Sequence, residues 1–263
     1  MYAFTYERPA TLDEASKQIA NGSQALAGGQ TMLAAMKQRL MQPEKLVDLS
    51  QIKALHGIKK DGNTLIIGAM CTHQTVENNP DVKAHIPALA ALAGGIGDRQ
   101  VRAMGTIGGS VANNDPSACY PAAVLGGGAT VVTNKRKIAA DDYFLGMFTT
   151  ALEEGEFVTG VTFPIPEKAA YVKFNQPASR FALTGVFVAK FKTGVRVAAT
   201  GASNNGVFRW AEGEAALSKS FSADALKGLS VDDSDMISDL HGTAAYRANL
   251  VRVLTGRAVT AAH

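Results

Sequence analysis

Leu26-Ala27-Gly28-Gly29-Gln30-Thr31-Met32 and Gly105-Thr106-Ile107-Gly108-Gly109-Ser110 are two glycine-rich turns set in runs of small residues. The second continues through Val111-Ala112-Asn113-Asn114-Asp115-Pro116. Glycine lacks a Cβ, so its backbone can approach a phosphate oxygen closely. Successive N–H groups in such a turn form a concavity for an anion. A helix starting just after the turn adds the positive end of its dipole. Apolar residues at Met32, Leu33, Met36 and Leu40 predict that helix over Thr31–Leu40, directly after the first turn. Together the two turns predict a two-part cradle for one diphosphate. Neither matches the G-x-G-x-x-G dinucleotide fingerprint, and no P-loop occurs. A Gly-Gly pair by itself is more often only a turn.

Working outward, the small βαβ unit around the first turn needs a strand on either side. Gln24–Ala27 and Lys45–Leu49 supply them, after a helix capped by Thr11 with Glu14 at the capping-box position. A second unit follows from about residue 55. It has a strand at Leu65–Ala69, a helix opened by Thr72 and His73, and a buried Ala-rich helix over Pro87–Ile96. A further helix is predicted over Ala118–Leu125, a hairpin at Ala129–Thr133 and Lys137–Ala139, and a strand at Phe157–Phe163. The Pro164-Ile165-Pro166 pair marks a boundary. Beyond it come Tyr171–Phe174 and two β-rich runs, Phe181–Phe191 and Val195–Ala202. Asn204-Asn205-Gly206 reads as a turn, and helical pattern runs from Arg209 and again over Met236–Val259. Three units result: 1–54, 55–166 and 167–263.

The 263 residues are 46% hydrophobic and 19% charged, which is the composition of a folded, core-forming chain. A net charge of +3 without a basic run argues against nucleic acid as a partner. No apolar stretch reaches membrane-spanning length, and Met1–Tyr6 shows no signal-peptide pattern, so a cytoplasmic protein is expected. Cys71 and Cys119 are the only cysteines, too few for an iron–sulfur cluster or a Cys-rich metal site on this chain.

The two turns, with Arg102-Ala103-Met104 before the second and Asn114-Asp115-Pro116, Ala140–Phe144, Leu152–Glu156, Tyr171–Phe174, Tyr246-Arg247 and Arg257-Ala258 beyond it, carry a family resemblance. The chain resembles, over nearly its whole length, the FAD-binding medium subunit of molybdenum hydroxylases, a family that includes the flavin domain of xanthine dehydrogenase. The resemblance implies an α+β architecture: an FAD-binding fold of the vanillyl-alcohol-oxidase (PCMH) type with two N-terminal α/β subdomains, and a C-terminal domain of sheet plus helices. It implies FAD as cofactor and electron transfer as function. Electrons would come from 2Fe-2S clusters on a small subunit, a molybdenum-cofactor large subunit would oxidise the substrate, and the assembly would be a heterotrimer, paired into a dimer of heterotrimers. Aldehyde, carbon monoxide, purine and N-heterocycle dehydrogenases have such a subunit. No metal and no catalytic acid or base is expected on this chain.

By the same resemblance, Leu26, Ala27, Gly28, Gly29, Gln30, Thr31 and Met32, with Thr106, Gly108, Gly109 and Ser110, would hold the diphosphate and ribityl region. Ile107 would pack near the isoalloxazine, Asn113 beside ribityl or phosphate oxygens, and Lys173 would approach the ring. Asp115 reads as a turn-former at the edge of the site. Two positions depart from the family, which often has aspartates where this chain has Cys119 and Arg180. Neither side chain accepts hydrogen bonds as a carboxylate does, and Arg180 would instead add positive charge or bind an anion. Other residues have plainer readings: Cys119 as a small buried side chain, His73 as a cap or surface-packing group, Asp98-Arg99 as an exposed ion-pair cluster, Trp210 as core, and Asp141-Asp142 as a helix N-cap. A self-contained flavin oxidoreductase of the same superfamily, and a scaffold without flavin, stand as alternatives.

Overall fold

The computed structural model describes residues 1–19 and 23–263. The first unit is β1 (Thr5–Glu7), α1 (Leu12–Ile19), β2 (Gln24–Leu26), α2 (Met32–Lys37) and β3 (Lys45–Asp48). Its three strands are parallel in the order β1-β3-β2, so β2-α2-β3 is the expected βαβ turn of chain. The Thr11 hydroxyl caps α1 by accepting the Glu14 amide at 3.2 Å, while the Glu14 carboxylate accepts the Ala10 amide at 2.9 Å. The helix α2 is shorter than the apolar spacing predicts. It ends at Lys37 because Arg39 takes φ +60 and the Leu40 amide folds back onto the Ala35 carbonyl.

Two 3-10 turns lead to the hairpin β4 (Ile58–Asp61) and β5 (Thr64–Gly68). Five short helices follow: α3 (His73–Asn78), α4 (Pro80–His85), α5 (Pro87–Gly94), α6 (Arg99–Met104) and α7 (Ile107–Asn113). Side chains start four of them. Thr72 caps α3, Asn79 caps α4, Asp98 caps α6 and Thr106 caps α7, each accepting a first-turn amide. Then come α8 (Tyr120–Gly126), β6 (Thr130–Thr133), β7 (Lys137–Ala139), the short α9 (Ala140–Tyr143), the small hairpin β8 (Phe144–Gly146) and β9 (Thr149–Thr150), and β10 (Val158–Pro164). The second sheet has the order β4-β5-β10-β6-β7 and is antiparallel throughout.

The last unit is the antiparallel meander β11 (Lys168–Asn175), β12 (Ala182–Phe191), β13 (Gly194–Ser203) and β14 (Gly206–Arg209), with α10 (Ala211–Lys219) and α11 (Ala244–Ala261). Its central strands read as continuous apolar runs because both faces are covered. Phe187, Ala189 and Ala198 face α8 and the second sheet, in one core with Leu65, Val131, Phe163, Leu89 and Tyr120. Val186, Val188, Val197 and Ala199 face Trp210, Leu250, Val251 and Leu254 on the other side. Each fully buried Leu or Val there contributes about 1.5–3 kcal/mol.

Two sequence expectations shift in this region. The terminal helix begins at Ala244, capped by the Thr243 hydroxyl at 3.2 Å from the Tyr246 amide. Upstream, Ile237 donates its amide to Ala202 at 2.8 Å, so that stretch lines the sheet edge instead. Asp141 and Asp142 lie in the first turn of α9, in the N-terminal region where the sequence puts them, but neither side chain makes a cap bond. The Asp141 carboxylate accepts from Arg196 at 2.8 Å and from Arg209 at 3.1 Å, joining α9 to the last sheet.

A buried carboxylate ties the second sheet to its loops. Glu156 accepts from Thr133 Oγ1 at 2.6 Å, from Arg136 Nε and Nη2 at 3.1 Å each, and from the Glu153 amide at 2.9 Å. Burial alone would raise its pKa, but these donors outweigh burial and hold it at about 2, below the usual 4.5. A carboxyl depressed on folding stabilises the native state above its unfolded pKa. That contribution is lost as pH falls from about 4.5 through about 2. Because Arg136 is partly exposed, we expect about 2 kcal/mol. Urea unfolding at stepped pH should show this acid slope in the wild type and a flatter one in Glu156→Gln.

Candidate cofactor cradle

The first glycine turn lies at the carboxyl end of β2, the end of a strand where α/β units place their ligands. Gly28 rests directly on the backbone before α7. A Cβ at position 28 would stand 1.9 Å from the Met104 carbonyl oxygen and 2.9 Å from Gly105 Cα. A Cβ at Gly109 would stand 3.4 Å from the Cβ of Ala27. The two turns, far apart in sequence, are therefore in contact. Gly29 takes φ +68, a conformation that only glycine adopts without strain, and the chain then enters α2.

The two turns differ in what they offer. Among the described residues, the amides of Gly28, Gly29, Gln30, Thr31 and Met32 donate to no protein acceptor. Thr31 sits at the N-cap without a side-chain cap bond, so its hydroxyl is also uncommitted. Gln30 folds over the turn and donates from Nε2 to the Gly28 carbonyl at 3.2 Å. Five adjacent donors at the positive end of a helix suit a diphosphate.

The second turn is not a matching row of free donors. It forms the first turn of α7, and its amides are engaged: Ile107 with the Cys71 carbonyl at 3.1 Å, Gly108 with Ala69 at 2.9 Å, and Gly109 with Thr106 Oγ1 at 3.0 Å. Its glycines serve close packing. A Cβ at Gly108 would lie 2.5 Å from the Cβ of Ala69. Ile107 is wholly buried, in one core with Leu65, Val131 and Tyr120. Ser110 and Asn113, half-buried and three residues apart, share one face of α7, and neither side chain has a partner among the described residues.

The loop after α7 is held firmly. Asn114, to which the sequence assigns no individual role, takes φ +45 and is buried. Its Nδ2 donates to Gly146 at 2.7 Å and Thr149 at 2.9 Å, pinning the β8–β9 hairpin. Asp115 acts as the expected turn-former, accepting the Ser117 amide at 2.8 Å. Thr200 Oγ1 lies 2.8 Å from the Pro116 carbonyl and 2.9 Å from that of Ala118, its one proton shared between them, which anchors the loop on β13. Cys119 then opens α8, buried at 5% exposure.

Lys173 on β11 and Arg180 in the loop before β12 reach the segment that follows α5. The Lys173 ammonium donates to the Gly95 carbonyl at 2.7 Å and the Arg180 carbonyl at 2.8 Å, with Cys119 Sγ at 3.5 Å. Arg180 is exposed at φ +62, and its Nη1 reaches the Gly97 carbonyl at 3.4 Å. Neither has a carboxylate partner among the described residues. Arg102 is committed elsewhere, to Glu77 at 3.2 Å and to the carbonyls of Ile96 and Gly97.

His73 differs from its expected place on the surface. It is buried beneath Gly105, where a Cβ would lie 2.6 Å from its Nε2, while the hydroxyl of Thr72 does the capping. Burial, helped by the nearby Arg102, lowers its pKa to about 4, so the ring is neutral at pH 7 and adds no cation to the cradle. No group of His, Cys, Asp and Glu suited to a metal is found among the described residues, and none of their helices is long and apolar enough to cross a membrane.

The cradle fits a cofactor diphosphate: its donors have no protein acceptor among the described residues, and only glycine at position 28 lets the turn lie against the Met104–Gly105 backbone. A family model described as "FAD binding domain in molybdopterin dehydrogenase" matches residues 2–166. The carbon monoxide dehydrogenase medium chain of Hydrogenophaga pseudoflava is 32% identical, over 98% of this chain and 96% of its own. The nicotine 6-hydroxylase medium subunit of Paenarthrobacter nicotinovorans is also 32% identical, over 99% and 97%. Among solved structures, carbon monoxide dehydrogenase from Hydrogenophaga pseudoflava superposes with a TM-score of 0.88 at 33% identity, covering 99% of this chain and 97% of that one. Quinoline 2-oxidoreductase from Pseudomonas putida 86 gives 0.87 at 27% identity, covering 99% and 96%. With its cradle at the end of β2, its α+β layers and its full-length likeness to these medium subunits, the chain belongs to the FAD-binding family of molybdopterin dehydrogenases.

Proposed function

We propose that this chain binds FAD across the two glycine turns and is the electron-transfer subunit of a molybdenum hydroxylase. The observation that carries the reading is the run of amides from Gly28 to Met32 that are uncommitted among the described residues, in a turn held against Met104–Gly105 by a contact that only glycine allows. Bound FAD supplies chemistry that no side chain here offers, the uptake and release of electrons singly or in pairs. The chain's own work is binding and positioning. The amides and the dipole of α2 would neutralise the diphosphate. Thr31, Ser110 and Asn113 have polar side chains left over for phosphate or ribityl oxygens. Lys173 and Arg180, without carboxylate partners among the described residues, would stabilise negative charge beside them.

In this reading, residues 1–54 and 55–166 form the two flavin-binding subdomains, and 167–263 form the third. Electrons arrive from a 2Fe-2S small subunit, substrate is oxidised on a molybdenum-cofactor large subunit, and heterotrimers pair into a dimer in the cytoplasm. The relatives named above are medium chains and subunits of dehydrogenases and hydroxylases, which supports a multi-subunit assembly. The test is a visible absorption spectrum of the protein purified with whatever binds it, followed by release and identification of the chromophore. Oxidised-flavin bands, released FAD, and co-purifying chains that carry molybdenum and iron are the expected result. A chain that stays colourless after incubation with FAD overturns the reading.

A further inference from the structure

The second glycine turn rests on a platform made by residues 69–73. Gly108 donates its amide to the Ala69 carbonyl at 2.9 Å, Ile107 to Cys71 at 3.1 Å, and His73 donates its own amide to the Gly105 carbonyl at 2.9 Å. Between them Thr72 and Thr106 pair as an antiparallel bridge. The His73 side chain fills the space under Gly105. A Cβ at position 105 would stand 2.6 Å from its Nε2 and 3.0 Å from its Cδ2. Gly105 in turn backs the first turn, since a Cβ at Gly28 would stand 2.9 Å from Gly105 Cα. Imidazole, Gly105 and Gly28 are therefore in contact in series. The ring is 5% exposed and lies against the wholly buried Tyr120, with 5.3 Å between centroids. Its Nδ1 has no hydrogen-bond partner among the described residues. An unpaired buried polar atom costs stability, so stability alone does not call for a histidine here. Burial keeps the ring neutral at pH 7, so it acts by shape and not by charge.

We propose, on the reading that FAD lies along the first turn, that His73 is a positioning residue for the cofactor: its imidazole fixes the height of Gly105, and through Gly105 the place of the first turn and its donor amides. Shortening the side chain leaves a void into which Met104–Gly105 settles, away from Gly28, and the amides from Gly28 to Met32 lose their backing. A methyl group on Gly105 acts in the opposite sense. The ring is confined by Tyr120, so the turn must lift. The two changes are complementary. With the ring gone the added methyl group has room, and its remaining near neighbour is the Val101 carbonyl oxygen at 3.1 Å.

The test is a double-mutant cycle on the full chain, read by FAD titration with flavin fluorescence once circular dichroism has shown each variant folded. His73→Ala should weaken FAD binding by about fivefold or more. Gly105→Ala should weaken it by about tenfold or more. The double variant should bind at least about threefold more tightly than Gly105→Ala alone, because each change makes room for the other. A double variant that binds no better than Gly105→Ala, or wild-type affinity in either single variant, overturns the proposal and leaves FAD binding by the first turn standing. A wild-type chain that binds no FAD overturns both together. Should a single variant not fold, His73→Gln and His73→Asn carry the comparison. Gln reaches as far as Nε2 and should bind within about threefold of the wild type, while Asn stops short of Gly105 and should bind about fivefold worse or more. Equal affinities for those two variants overturn the proposal.

Discussion

Gly28→Ala should weaken FAD binding by at least about 100-fold, equivalent to about 3 kcal/mol, while leaving most of the fold intact. The added Cβ would stand 1.9 Å from the Met104 carbonyl oxygen, and its other near neighbours are also backbone. No rotamer can yield there, so the turn and the start of α7 must separate. The five donor amides then move away from the groups on α7. FAD titration followed by flavin fluorescence checks this, with Gly256→Ala as the comparison. A Cβ at Gly256 meets nothing nearer than 3.8 Å, in the middle of a long helix, so that change should leave binding unaltered and favour helix. Wild-type affinity in Gly28→Ala would mean that the two turns do not act as one site.

The second large effect concerns a buried cation. Arg247 is 3% exposed near the start of α11. Its Nη1 donates to the carbonyls of Leu183 at 2.8 Å and Gly201 at 2.7 Å, and its Nη2 to Asp239 at 2.7 Å. Those carbonyls belong to β12 and β13, at a place where Gly201 takes φ +80. Arg247→Met keeps the volume but leaves two carbonyls and a carboxylate without their donor. The loss should be about 3–5 kcal/mol, because breaking one side of a buried polar cluster strands the other. At this chain length that corresponds to a fall in Tm of about 10 °C. Thermal unfolding by circular dichroism measures it, and a fall within experimental error would show that α11 is held by its apolar face alone.

Much of this architecture was legible in the sequence where local pattern and global packing agree. The βαβ order around Gly28, the Thr11 and Thr72 helix starts, the β6–β7 hairpin and the Asn204-Asn205-Gly206 turn follow from spacing and turn chemistry. The meeting of the two glycine turns was readable only through family likeness, because no local rule brings Gly28 to Met104. What escaped was set by long-range hydrogen bonds. Ile107 follows a glycine-rich turn, but its side chain turns into the core because its amide and that of Gly108 dock on the 69–71 segment. His73 reads as a polar helix start, and only the third dimension shows Gly105 lying over it. Asn114 looks like one more polar residue in a loop until its left-handed backbone and its two bonds to the hairpin are seen.

The sheet β11–β14 carries a packed layer on each side, and the layer toward the cradle is continuous with the second sheet. The family match ends at residue 166, yet the hydrophobic interior beneath it continues through Phe187, Ala189, Ala198 and Val207. The nucleotide-binding portion therefore does not own a closed interior. Its folding is completed by a part of the chain that contributes neither of the two glycine turns. Damage at the far helix α11 would therefore reach that shared interior through the two central strands, β12 and β13.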